Sequence, residues 1–230
     1  MLTLLITGTN RGLGFEFVRQ YVAQGAMIHA ACRHPARAPD LIKLANDHPG
    51  KIIVHTLDVA SDASVEHLKR EIGNKPIDVL INNAGVYGGD HQNHGAIDFT
   101  NWMDVLNINT LGPVRLVEAF SENLRAGSAK KAIAITSQMG STAGNNGGYF
   151  AYRSSKAALN NVMRGLALAL KADGITVVPV HPGWVKTDMG GPNAPLSPEE
   201  SVRGMRELIG RLSLGDSGKF FDYQGKELPW

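Results

Sequence analysis

The stretch LTLLITGTNRGLG, residues 2–14, decides the fold. Residues 2–7 form a short, almost wholly apolar run, as expected of a parallel β-strand covered on both faces. The run passes directly into glycines at 8, 12 and 14, and from 12 to about 24 the apolar residues take up helical spacing. Glycine lets the chain turn tightly and lets backbone N–H groups approach an anion at a helix N-terminus, where the peptide dipoles favour negative charge. Strand, glycine turn and helix in this order suit the pyrophosphate of a dinucleotide. No Gly-Lys-Ser/Thr follows, which excludes the loop that cradles a nucleoside triphosphate.

Working outward, strand-like runs return at AMIHAA (26–31), KIIVHTL (51–57), IDVLIN (77–82), KAIAIT (131–136) and ITVVPV (175–180), with KFFDY (219–223) as a weaker seventh. Between them, 12–24, 61–72, about 101–125, 152–172 and 198–212 carry helical periodicity, and 34–50 has room for one short helix. Ser61 before Asp62, and Ser197 before Pro198, are helix-start signals. Alternating strands and helices imply right-handed crossovers. The expectation is an α/β, Rossmann-type doubly wound fold: a seven-stranded parallel sheet with helices on both faces, in three layers. No repeat, low-complexity tract or linker interrupts it, so residues 1–230 are read as a single dinucleotide-binding domain that also holds the reacting groups.

Composition excludes several classes. With 43% hydrophobic and 19% charged residues, the chain is neither disordered nor fibrous. A net charge of +2 argues against nucleic acid or an anionic membrane as partner. The lone cysteine, Cys32, excludes an intramolecular disulfide and a multi-cysteine metal site. The apolar start is too short for a signal segment or a membrane span, and no run of 18 apolar residues occurs elsewhere, so a cytoplasmic protein is expected.

Thr7-Gly8-Thr9-Asn10-Arg11-Gly12-Leu13-Gly14 resembles the cofactor loop of the short-chain dehydrogenase/reductase family. Further landmarks of that family recur in order along essentially the whole chain: Asn82-Asn83-Ala84-Gly85 after the fourth strand, Asp58-Val59 after the third, and HPGWVKT, with Pro182, Gly183, Val185 and Thr187, after the sixth. The resemblance implies that Gly8, Asn10, Arg11, Gly12, Leu13, Gly14, Asp58, Val59, Asn83, Ala84, Gly85, Pro182, Gly183, Val185 and Thr187 hold the dinucleotide. Which dinucleotide is set at the adenosine ribose. An acid ending the second strand would accept bonds from a free 2′-hydroxyl, yet HAACRHPAR has none before Asp40. Arg33 follows that strand and Arg11 lies in the glycine loop. Solvated surface arginines would give the same letters; a guanidinium pair converging on a 2′-phosphate is the reading adopted, and it selects NADP(H) over NAD(H).

In GGYFAYRSSKAAL, residues 147–159, Tyr152 and Lys156 stand one helical turn apart and so share a face, with no acid within four residues of the lysine. They match the Y-x-x-x-K of the family. AITSQMGS places Ser137 at a strand end, as in the family's catalytic serine; Ser141 is the alternative, but lies past the strand. NINTLGP resembles N-x-x-G and selects Asn109 over Asn107. Carbonyl reduction needs a hydride at carbon and a proton at oxygen, and a phenol supplies the proton. A phenol near its ordinary pKa of about 10 is roughly one part in a thousand ionised at neutral pH, about 4 kcal/mol from a ready base. A neighbouring ammonium is expected to lower that gap. The resemblance further implies that Lys156 bonds the nicotinamide ribose and that the Asn109 carbonyl holds a water in a proton relay.

Gln138, Met139, Tyr149, Trp184 and Met189 flank these motifs and are candidates for a substrate pocket. GGDHQNHG (88–95) is read as a flexible polar loop rather than a metal site, and the chemistry as metal-free. YRSSKAALN, HPGWVKTDMGG and the tail GKFFDYQGKELPW resemble the C-factor and sniffer-type carbonyl reductases, which implies an NADPH-dependent reductase of an aldehyde or ketone, or alternatively a dinucleotide-binding signalling protein with incidental catalysis. The apolar faces of 101–125 and 152–172, with Gly165 permitting close approach, suggest a homodimer or homotetramer.

Overall fold

The computed structural model describes all 230 residues. Along the chain come β1 (Thr3–Thr7), α1 (Gly12–Val22), β2 (Met27–Cys32), α2 (Pro39–Asp47), β3 (Ile52–Thr56), α3 (Asp62–Ile72) and β4 (Val79–Asn82). A small hairpin of β5 (Gln92–Asn93) and β6 (Ala96–Ile97) follows, then α4 (Phe99–Leu106), α5 (Gly112–Ala126), β7 (Lys131–Ile135), α6 (Phe150–Ala169), β8 (Thr176–His181), α7 (Pro198–Arg211) and β9 (Phe221–Asp222). Seven strands pair in parallel in the order β3-β2-β1-β4-β7-β8-β9. The order reverses beside β1, where β2 and β3 lie to one side and β4 to the other. Such a switch opens a crevice at the carboxyl ends of the strands.

The continuously apolar strands are explained by coverage of both faces. Leu4, Ile6, Val79, Ile81, Ile133, Ile135, Val178 and Val180 point to one side, into a core closed by α1, α2 and α7. Leu5, Leu80, Ala132, Ala134 and Val177 point to the other, under α3, α5 and α6. Successive residues of a strand face opposite ways, so both sets must be apolar. The start signals behave as read: Ser61 Oγ accepts from Ser64 N, and Ser197 with Glu200 forms a capping box on α7. No helix is long and apolar enough to cross a membrane.

Three departures from the sequence expectation matter. The segment read as one helix at 101–125 is broken by a π-turn at Asn107–Leu111, in which Gly112 N–H reaches back five residues to the Asn107 carbonyl. The polar stretch 88–95, expected to be flexible, holds the first strand of the hairpin, with Gln92 fully buried. Finally, the seventh strand is only two residues long, because the Asp222 carboxylate turns the chain by accepting from Gln224 N and Lys226 N.

Candidate active site

The glycine loop is pinned from beneath. Asn83 Nδ2 donates to the carbonyls of Thr7 (2.9 Å) and Gly8 (3.1 Å), while Thr7 Oγ1 accepts from the backbone N–H groups of Asn83 and Ala84. Gly8 takes φ +70°, and a Cβ there would meet Ala84 Cα at 2.8 Å. At Gly14 a Cβ would stand 2.1 Å from the Gly8 carbonyl oxygen. Only hydrogen fits at either position, and the loop therefore lies flat on the β4 turn with its outer side open. Arg11 is the N-cap of α1 with an extended backbone, and Asn10 beside it is exposed. Across the crevice Gly12 faces Thr187, whose methyl carbon lies 3.6 Å from a Cβ built at 12.

The far wall of this cradle comes from the loop after β8. Ser201, buried in α7, donates to the Pro182 carbonyl at 2.6 Å, and Gly183 at φ +84° lies against Leu196 and Tyr223. Val185 is buried and bridges to Leu196, and Thr187 Oγ1 accepts from Gly190 N. Asp58, at the end of β3, closes an Asx turn on Ala60 N, with buried Val59 packed on Gly112 at the π-turn. The structure thus gathers the glycine loop, the Asn83-Ala84-Gly85 turn and the Pro182–Thr187 loop around one crevice.

The arginine pair departs from expectation. Arg11 forms an ion pair with Asp188, and Arg33 is exposed and outside every ion pair. Convergence of both guanidinium groups on one phosphate is therefore not the arrangement present. Asp188 lies 177 residues from Arg11 along the chain, and only the fold brings the two together.

At the inner end of the crevice four side chains meet. Tyr152 and Lys156 occupy the first two turns of α6 and are both buried. Ser137 is buried beside Tyr152, close enough for its hydroxyl to lower the phenol pKa, and its oxygen accepts from Met139 N at the start of a short 3₁₀ turn at Gln138–Gly140. That turn packs directly on α6: a Cβ at Gly140 would lie 2.7 Å from the Lys156 carbonyl carbon. The alternative serine, Ser141, spends its hydroxyl on the Trp230 carbonyl. Lys156 Nζ donates to the Ile135 carbonyl at 2.9 Å and sits 5.9 Å from the centre of the Tyr152 ring.

Asn109 is completely buried in the π-turn. Its Oδ1 accepts from Val86 N at 2.8 Å, and its Nδ2 donates to the Val86 carbonyl and to Ser155 Oγ. Asn107, by contrast, reaches only the Ala60 carbonyl at 3.5 Å. Gly85 marks the convergence, since a Cβ there would lie 3.2 Å from Asn109 Oδ1 and 3.6 Å from Lys156 Nζ.

Electrostatics depart from the simple expectation of a phenol acidified by its lysine. Burial raises the Tyr152 pKa, and the Ser137 hydroxyl offsets only part of that rise. Burial also pushes the Lys156 ammonium down to about 8. Withdrawal from water costs each charged form more than a cation over the ring face returns. The phenol is thus held as an acid at neutral pH.

Among the residues proposed for a substrate pocket, Gln138, Tyr149, Trp184 and Met189 are exposed and Met139 is half-buried. Trp184 is tethered through Nε1 to the Gly190 carbonyl. Tyr87, which sequence reasoning missed, packs at a tilt against both Tyr149 (ring centres 5.4 Å apart) and Tyr152 (5.0 Å). Its only signal is its place two residues after Asn83-Ala84-Gly85. Burial, together with the Tyr149 phenol, raises its pKa.

A family model described as short chain dehydrogenase matches residues 2–195. The C-signal protein of Myxococcus xanthus is 49% identical over 161 residues, covering 67% of this chain and 93% of the relative. The carbonyl reductase Sniffer of D. melanogaster superposes with a TM-score of 0.92 at 32% identity, covering 100% of both chains. An NADPH-bound carbonyl reductase from chicken fatty liver gives 0.90 at 33% identity, over 99% of this chain and 98% of that one. Family match, full-length superposition and a cradle with room only for glycine agree: the chain belongs to the short-chain dehydrogenase family.

Proposed function

We propose that the protein is an NADPH-dependent reductase of an aldehyde or ketone carbonyl, with Tyr152 as general acid and, in reverse, general base. One observation carries the reading: a buried phenol, with a serine hydroxyl beside it and a lysine ammonium 5.9 Å from its ring centre, lies at the closed end of a glycine-lined cradle. The cradle residues suit a dinucleotide, and relatives of this fold bind NADPH. Arg33, free of any acid, is the residue we assign to a 2′-phosphate, with Arg11 available once it leaves Asp188.

When bound, a nicotinamide dinucleotide supplies the hydride in one direction and accepts it in the other. The chain's own residues handle the oxygen. Ser137 donates to the substrate oxygen and stabilises charge as it develops. Tyr152, whose pKa is raised by burial, delivers the proton in reduction and takes it back in the reverse direction. Lys156, held on the Ile135 carbonyl, keeps a positive charge beside the phenolate that forms, and Asn109 locks the π-turn to Val86, in the segment after β4, and to α6. Tyr149, Tyr87, Met139, Gln138, Trp184 and Met189 would meet the rest of the substrate.

The test is NADPH consumption against a panel of carbonyls, with Tyr152→Phe beside the parent. Loss of turnover by at least 10²-fold with NADPH still bound is expected; equal rates would refute the assignment. A second reading, a dinucleotide-binding signalling protein with incidental catalysis, has the identity to C-signal behind it. Tight NADPH binding with no carbonyl reduced would favour it. We also assign a homodimer or homotetramer, formed through exposed Phe99, Met103 and Leu111 along α4–α5 and Leu168 on α6. Sedimentation at several concentrations reads this directly, and a monomer throughout would exclude it.

A further inference from the structure

A helix leaves its first four backbone N–H groups without intrahelical partners, and a Ser, Thr, Asp or Asn at the N-cap ordinarily meets one of them. Helix α6 has no such residue. Its N-cap is Tyr149, in the left-handed region at φ 50°, and makes no side-chain capping bond. The first helical bond is that from Arg153 N to the Tyr149 carbonyl, so Tyr152 N is itself one of the orphan donors.

Two side chains from the β5–β6 hairpin meet this need. Gln92 Oε1 accepts from Tyr152 N at 2.8 Å, and Asn93 Oδ1 accepts from Tyr149 N at 2.8 Å. Gln92 is 1% exposed, and its other end is used as fully: Nε2 donates to the Tyr87 carbonyl at 2.8 Å and to the Gly89 carbonyl at 2.6 Å. One amide thus ties the backbone of the catalytic tyrosine to the segment that follows the Asn83-Ala84-Gly85 turn. The Tyr87 ring, on that segment, packs on Tyr149 and Tyr152. The hairpin is itself anchored, because Asn101 in α4 donates to the Gly88 carbonyl and Asp98 caps α4.

We infer that Gln92 and Asn93 are positioning residues for Tyr152, supplying from a distant loop the N-cap that α6 lacks and setting its phenol against Ser137. The inference rests on Tyr152 as the acid of the proposed reaction. Residue chemistry supports it. Position 92 needs one acceptor and two donor bonds at once, which an amide provides; a carboxylate would face the two carbonyls with no proton to give. Position 93 needs only an acceptor, so aspartate serves there as well as asparagine. Small displacements of a reacting group carry large rate costs, on the order of 10²-fold per ångström.

The test compares the parent with Gln92→Ala, Gln92→Glu, Asn93→Ala, Asn93→Asp and Tyr152→Phe. Three quantities are read: NADPH affinity by cofactor fluorescence, kcat per NADPH-binding site, and the Tyr152 phenol titration by ultraviolet difference against Tyr152→Phe. Gln92→Ala and Gln92→Glu are expected to lower kcat on the order of 10- to 100-fold, with NADPH affinity within about threefold and the phenol titration moved. Asn93→Ala is expected to lower kcat about threefold or more and Asn93→Asp to restore it. Because Asn93 is exposed, its variants report even where a Gln92 variant folds poorly. Unmoved kcat per binding site and unmoved titration in folded Gln92→Ala and Asn93→Ala would overturn the inference, leaving these residues merely structural. Should Tyr152→Phe retain the parent's turnover, the catalytic reading fails by itself, while the phenol titration still says whether Gln92 and Asn93 place that ring.

Discussion

Gly14→Ala pits helix propensity against a close contact, and the structure decides which wins. Gly14 lies in the first turn of α1 with an ordinary helical φ, so alanine there would by itself favour the helix by about 1 kcal/mol. Its Cβ, however, would stand 2.1 Å from the Gly8 carbonyl oxygen and 2.5 Å from Asn83 Nδ2. Ordinary contact begins near 3.4 Å, so the loop or the helix must retreat by about 1.3 Å. Neither obstacle is the end of a flexible side chain: one is backbone, and the other is held by bonds to the Thr7 and Gly8 carbonyls. Losing those two bonds costs about 1 kcal/mol each, and overpacking adds about 1–3 kcal/mol. The balance is a destabilisation of about 2–4 kcal/mol centred on the floor of the proposed dinucleotide cradle.

Because that retreat moves the N–H groups that would face the pyrophosphate, NADPH affinity should fall on the order of 10- to 100-fold, about 1.4–2.8 kcal/mol. The assay is a cofactor-fluorescence titration paired with thermal unfolding, with and without saturating NADPH. The variant should show both a lower Tm and a smaller NADPH-induced rise. If Gly14→Ala bound NADPH within threefold of the parent and unfolded no earlier, the Gly8–Gly14–Asn83 contact would not be what shapes the loop.

Gly165→Ala should go the other way: on α6, with nothing within 4 Å of its Cβ, it is expected to stabilise by about 0.5–1 kcal/mol and raise Tm by a few degrees. A fall in Tm would instead place Gly165 in the proposed contact between copies, beside Leu168. Asp78→Ala should cost about 2–4 kcal/mol in urea unfolding, since the buried carboxylate accepts from Thr3 N, Ser128 N, Ser128 Oγ and Ala129 N; a loss below 1 kcal/mol would show that water replaces it. On the acid side, His29 is lowered to about 4 by burial, His55 and Lys75, and His181 to about 4 by burial, opposed by Asp222. Both fold neutral while the unfolded chain takes up protons below about 6.5. Their stability is therefore intact above that pH and lost towards pH 4, by about 3 kcal/mol each at most. The urea midpoint should fall through this window and fall less in His181→Asn; equal slopes would exclude His181 as a source.

The parts of this protein legible in its sequence are those whose information is local. Thr7 to Gly14 reveals a cradle because each glycine answers a steric demand made within the loop or by the turn directly beneath it. Alternate burial of Leu4, Leu5 and Ile6 on opposite faces turns an apolar run into a parallel strand, and Ser197 with Glu200 announces the start of α7 within four residues. The pairing of Tyr152 with Lys156 needs nothing beyond the helical repeat. What escaped was set by partners far along the chain. Asp188 takes Arg11 from 177 residues away, and no local pattern weighs that competition against a phosphate. The sign of the Tyr152 shift depends on how much water the fold removes, which the four-residue spacing does not encode.

Gln92 shows why such a residue is hidden. In GGDHQNHG every neighbour is small or polar, so the run reads as a solvated loop. The left-handed turn at Gly147–Tyr149 instead brings α6 to the hairpin with its N–H groups bare, and an amide is the one common side chain able to accept there while donating to two carbonyls behind it. The missing cap is visible beforehand only as an absence: no Ser, Thr, Asp or Asn stands at position 149, where the helix begins. An uncapped helix that carries the proposed acid, Tyr152, in its first turn therefore implies a remote acceptor. In this fold the segment leaving Asn83-Ala84-Gly85 carries Tyr87 onto Tyr149 and Tyr152, and the hairpin it leads into supplies the cap.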